Sequence, residues 1–349
     1  MQRPQRARAF RATVGVAVLG LLLAGCGGDD GSLSGGAGDG QTGEEQPTAT
    51  PADDALLVVA STSIVGDVVA NVAGDEAVVE VLMPAGVDPH GYQPSGADAA
   101  TLREADLVVA IGLGLEENLG DAIAAAEAEG VQVLELAGRL DPRPYEDDAD
   151  EDEHADEEIE EHAVDDGHDH GPLDPHVWFD PVRMADGARL IGDELAALAD
   201  GDWTTRADAY AAELQAVHEE LEAGFAALPE PARRLVTNHD ALGYLADRYD
   251  LDVIGTVVPG TSTMAEADAR AFAELVETIE DAGVDAIFTE NIETAALADQ
   301  LASEVASRGG PEVEVVSLYT DALGEPGSGA ETYLGLLREN GRRIVEALR

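Results

Sequence analysis

Between residues 55 and 349 the apolar positions fall into two recurring arrangements: short runs rich in Val, Ile and Leu, and longer stretches of helical composition or spacing. The first four runs occupy residues 56–60, 78–83, 107–111 and 131–136, with helical stretches at 64–72, 97–104 and 115–129. Four more runs follow at 234–237, 253–258, 286–289 and 313–318, with helical stretches at 241–249, 265–282 and 294–307 and a closing one at 332–348. Short apolar strands alternating with helices predict parallel pairing through right-handed crossovers. The fold class is therefore α/β, with two four-stranded parallel-sheet lobes. Between the two sets, Tyr210, Leu214, Val217, Leu221 and Phe225 recur at spacings of four, three, four and four. That stripe predicts a single long helix within residues 205–229, about 36 Å long at the usual rise, joining the lobes.

Two segments follow neither arrangement. Residues 27–54 are Gly, Ser, Asp, Glu, Thr and Pro with almost nothing to bury, and read as a flexible tether. From Glu146 to His170 there are 15 acids, no bases and four histidines, His154, His162, His168 and His170. Charge of one sign at that density repels itself, so a disordered loop of about 144–171 is expected within the first lobe. The organisation expected is thus a leader at 1–26, the tether at 27–54, a first lobe at 55–204 carrying the acidic loop, the connecting helix at 205–229 and a second lobe at 230–349.

The leader carries Arg3, Arg6, Arg8 and Arg11 and then an apolar run from Val14 to Gly25, too short for a stable membrane span. It ends in Leu23-Ala24-Gly25-Cys26, which resembles the lipobox of bacterial lipoproteins, so Cys26 is the expected lipidation site. Cys26 is the only cysteine, which excludes an intrachain disulfide. The formal charge of −53 comes from 72 acids against 19 bases, all of them arginine. Nucleic acid is disfavoured as a partner by that balance. The acidity suits a cation ligand, a salty exterior or simple solubility.

The candidate chemistry lies in two Asp-Pro-His triplets, Asp88-Pro89-His90 and Asp174-Pro175-His176, with His239 in Thr237-Asn238-His239-Asp240 and Asp321 in Tyr319-Thr320-Asp321-Ala322. They are too far apart in sequence for a local metal loop, so the tertiary fold must gather them. Three imidazoles and one carboxylate gathered together make a transition-metal site. His90, His239 and Asp321 each follow a predicted strand, on the edge where parallel sheets bind ligands. Two candidates per lobe place the ion in an interlobe cleft. His218 flanks the apolar stripe of the connecting helix and reads as surface.

From about Leu57 to the C-terminus the chain resembles the metal-binding lipoproteins of bacterial zinc and manganese ABC importers, through MPAGVDPHGYQPS, DPHVWFDP, TNHDALGYLADRYDL and VVSLYTDALG. The resemblance implies two α/β lobes joined by one rigid helix, and one metal ion held by His90, His176, His239 and Asp321. It also implies a monomeric exported receptor, anchored at Cys26 to the outer face of the cytoplasmic membrane, that delivers its ion to a permease driven by a separate ATPase. The acidic loop resembles those of zinc-importing members, where the four loop histidines would hold zinc weakly. Nitrogen-rich ligation favours zinc over manganese, and manganese-preferring members tend to carry glutamate where this chain has His239. Two departures stand out: relatives often have an aromatic residue where Leu242 stands, and some zinc-binding members have a disulfide this chain cannot form. Other classes stay open, namely a manganese receptor, a surface adhesin, or a zinc hydrolase with Glu290 or Asp240 as general base; Glu290 and Asp240 could instead support the ligands from behind. With four protein ligands and no open position, holding the ion is expected rather than catalysis.

Overall fold

The computed structural model describes residues 55–145, 173–265, 269–292 and 295–349. The leader, Cys26, the tether and the acidic loop with His154, His162, His168 and His170 lie outside the described residues. The first sheet contains β1 (Leu56–Thr62), β2 (Ala77–Met83), β3 (Leu107–Ala110) and β4 (Gln132–Glu135) in the order β2-β1-β3-β4, all parallel. Its helices are α1 (Ser63–Ala73), α2 (Gly96–Glu104) and α3 (Gly120–Ala128). The second sheet repeats the plan with β5 (Arg234–Thr237), β6 (Asp252–Thr256), β7 (Ala286–Glu290) and β8 (Glu314–Leu318) in the order β6-β5-β7-β8. In each sheet the strand order reverses between the first and third strands. A crevice opens there beyond the carboxyl ends, the usual ligand position in such sheets.

Two helices run between the sheets in sequence, α4 (Pro181–Leu198) and α5 (Trp203–Ala226). The predicted stripe of α5 is buried along its whole length, from Tyr210 to Phe225. The second lobe adds α6 (Gly243–Tyr249), α7 (Ala269–Ala282), α8 (Ala296–Ser307) and α9 (Tyr333–Ala347). One hydrophobic core runs from Val58 and Ile64 through α4 and α5 to Leu235, Phe288, Leu336 and Ile344. The lobes therefore share buried apolar surface, which resists independent movement. No described helix is long and apolar enough to cross a membrane.

Two sequence expectations need correction. The stretch 115–129 is not one helix: residues 113–119 are turns and α3 begins at Gly120. The cause is Glu116, whose buried carboxylate accepts the Ile111 and Gly112 N–H groups and the Ser61 hydroxyl, holding the chain in a tight turn where Gly112, Leu113 and Gly114 all have positive φ. Likewise α6 begins at Gly243, not Ala241, because residues 239–242 form the turn that presents His239.

Candidate metal centre

His90, His176, His239 and Asp321 converge, each offering a ligand atom within 4.8 Å of all the others, and all are buried to 1% exposure or less. His90 sits in the Pro- and Gly-rich turn between β2 and α2; the Asp88 carboxylate accepts its backbone N–H at 2.9 Å, which sets the turn. His176 precedes the short turn Val177–Phe179 leading into α4. His239 lies two residues past β5 at the crevice of the second sheet, and Asp321 three residues past β8. The ring centroids stand 5.1–5.7 Å apart.

Geometry assigns the nitrogens. Nδ1 of His176 donates to Asp174 Oδ1 at 2.8 Å, and Nδ1 of His239 is hydrogen-bonded to Glu290 Oε1. Each bond leaves Nε2 facing the centre. The two Nε2 atoms are 3.2 Å apart, and Asp321 oxygens lie 3.8 and 3.9 Å from them, too long for hydrogen bonds. Bonds of 2.0–2.1 Å to a tetrahedral ion would set ligand atoms about 3.3 Å apart. The cluster is thus close to what an ion requires and poorly satisfied without one.

The electrostatics agree. Burial pushes the His239 imidazole down, but the Glu290 and Asp321 carboxylates outweigh it and raise the group to about 10. Asp321 is driven up to about 8, chiefly by burial, with Glu290 and Asp88 adding to the rise and His239 opposing it. His176 is lowered by burial despite Asp174. Glu290 stays low, since His239 overcomes the cost of burial. Negative charge is concentrated around a position where a cation belongs.

The supporting residues are less evident in sequence. Glu290 braces His239 from the Nδ1 side and receives Asn238 Nδ2 at 3.3 Å. It therefore lies behind the ring, away from the centre, in the position of a support rather than of a water-activating base. Asp240 turns away: its N–H donates to the Gly260 carbonyl, and it lines a neighbouring cleft with Arg143 and Asp247. Sequence reasoning gave no role to Asp88 or Asp174, nor to Trp178, whose indole N–H donates to the Thr320 carbonyl at 2.8 Å beside Asp321. The repeated Asp two residues before His was the available signal. His218 is half-buried, with Nδ1 3.3 Å from the Tyr249 hydroxyl.

Residues 58–347 match the family described as ZnuA, zinc-uptake complex component A, periplasmic. The chain belongs to this family. Among similar members, the zinc-binding protein TroA of Treponema pallidum is 30% identical over 311 residues, covering 85% of this chain and 90% of TroA. The manganese-binding lipoprotein MntA of Halalkalibacterium halodurans is 28% identical over 336 residues, covering 95% and 96%. The solved structure of the periplasmic zinc-binding protein TroA superposes with a TM-score of 0.72 over 84% of this chain and 99% of that one, at 28% identity. The two-lobe α/β architecture read from the strand pattern is that of the TroA type.

Proposed function

We propose that this ZnuA-family protein is the extracytoplasmic receptor of an ABC importer, capturing zinc with His90, His176, His239 and Asp321 and handing it to a membrane permease driven by a separate ATPase. The observation that carries the reading is the buried cluster itself, three imidazoles and one carboxylate with two Nε2 atoms already turned inward. Anchoring through Cys26 and action as a monomer complete the proposal. Nitrogen-rich ligation supports zinc, because affinity at such sites runs far higher for zinc than for manganese. A manganese receptor is the second reading, favoured by the similarity to MntA. The ligand set is tested by isothermal titration of the metal-stripped protein with zinc. One tight ion is expected for the native chain and its loss in H239A; an unchanged tight site in H239A would remove His239 from the set.

A further inference from the structure

The two Asp-Pro-His triplets make the same local turn but use their second carboxylate oxygen differently. Asp88 Oδ1 accepts the His90 N–H, and its Oδ2 accepts the Thr263 hydroxyl at 2.8 Å. Asp174 Oδ1 accepts both the His176 backbone N–H at 2.9 Å and the ring Nδ1–H at 2.8 Å, while its Oδ2 meets Arg143 Nη1 at 3.2 Å. Asp174 is wholly buried and Arg143 only 14% exposed. The same guanidinium reaches Asp247 on α6 through Nε at 3.0 Å, and the Arg143 N–H donates to the Tyr244 hydroxyl. Its site is made by an absence, since a Cβ built on Gly243 collides with Nη1.

We infer that Arg143 is a positioning residue for the metal site, acting through Asp174 to fix the ring orientation and tautomer of His176. The inference rests on the receptor reading and deepens it. Held by Arg143, Asp174 keeps its other oxygen on the ring, so the Nε2 lone pair points at the ion before it arrives; the guanidinium also balances a carboxylate with no access to water.

The test compares full-length R143Q, D174N, the double variant and D247N by competition with a zinc chelator and by the visible spectrum of bound cobalt(II). R143Q and D174N are expected to weaken zinc by about 10–100-fold, the usual loss when an outer partner of a ligating histidine is removed. Both should alter the cobalt bands, and the double variant should bind no worse than D174N, because the arginine works through the aspartate. D247N should bind nearly as the native chain does. Native affinity in R143Q, additive losses in the double variant, or a D247N loss equal to that of R143Q would each overturn the inference. Should R143Q not fold, G243A keeps the charge but displaces Nη1 and crowds Asp174 Oδ2, and is expected to reproduce the loss; native binding by G243A would overturn the inference. A native chain that binds neither zinc nor cobalt would instead overturn the receptor reading.

Discussion

His176 and His239 each work with both ring nitrogens, one facing the centre and one held by a carboxylate, Asp174 or Glu290. Glu290→Gln keeps the shape but removes the charge behind His239, so zinc affinity is expected to fall about 10–100-fold by chelator competition, with little change in fold. Proton release gives a second check. The carboxylates beside His239 raise its imidazole against burial, and burial raises Asp321, so the metal-free site holds protons that an ion must displace. Titration at pH 7 in buffers of different ionisation enthalpy should report proton release on zinc binding, and affinity should rise with pH. A buffer-independent heat would contradict this. The three histidine ligands were legible because histidines flanked by proline, or following a strand, stand out in an acidic chain, and Asp321 only by its place just after a strand. Of their supports only Glu290 was anticipated; Asp88 and Asp174 were not, because an aspartate two residues before a histidine is an ordinary turn former. Only the tertiary fold shows that Asp174 turns to Arg143 and Asp88 to Thr263.

At the scale of elements, the strands and the long helix were legible because buried parallel strands read as continuous apolar runs and α5 keeps one stripe throughout. Helix α4 was not, since Gly187 and Gly192 weaken its helical signal. Packing demands at least the second, as a Cβ on Gly192 would lie 2.7 Å from the Ala207 Cβ on α5. The start of α4 also ties the lobes together. Asp180 accepts the Val182 and Arg183 N–H groups as its N-cap and pairs with Arg183 and with Arg248 of α6. Asp180→Ala removes the cap and the carboxylate that pairs with Arg248, while Arg183 keeps its bonds to the Leu140 and Asp141 carbonyls. We expect a loss of about 2–3 kcal/mol in urea unfolding, at or below the lower limit for buried pairs because both arginines are partly hydrated. A change below about 0.5 kcal/mol would show that this junction contributes little.

For the whole molecule, a shared core and cross-lobe bonds such as Trp178 to Thr320 and Thr263 to Asp88 favour modest rearrangement over wide opening. The net charge of −53 opposes compactness, so raising salt from 10 mM to 0.5 M should raise the melting temperature of the metal-free protein by screening repulsion; a fall would contradict this. Zinc at 100 times its dissociation constant should add about 2.7 kcal/mol of stability by mass action. The central claim is that a three-histidine, one-aspartate site makes this a zinc receptor, and competition between zinc and manganese on the metal-free protein tests it most directly. Zinc should displace bound manganese at equimolar concentration, while a large excess of manganese should fail to displace zinc. Retention of manganese against equimolar zinc would contradict the account.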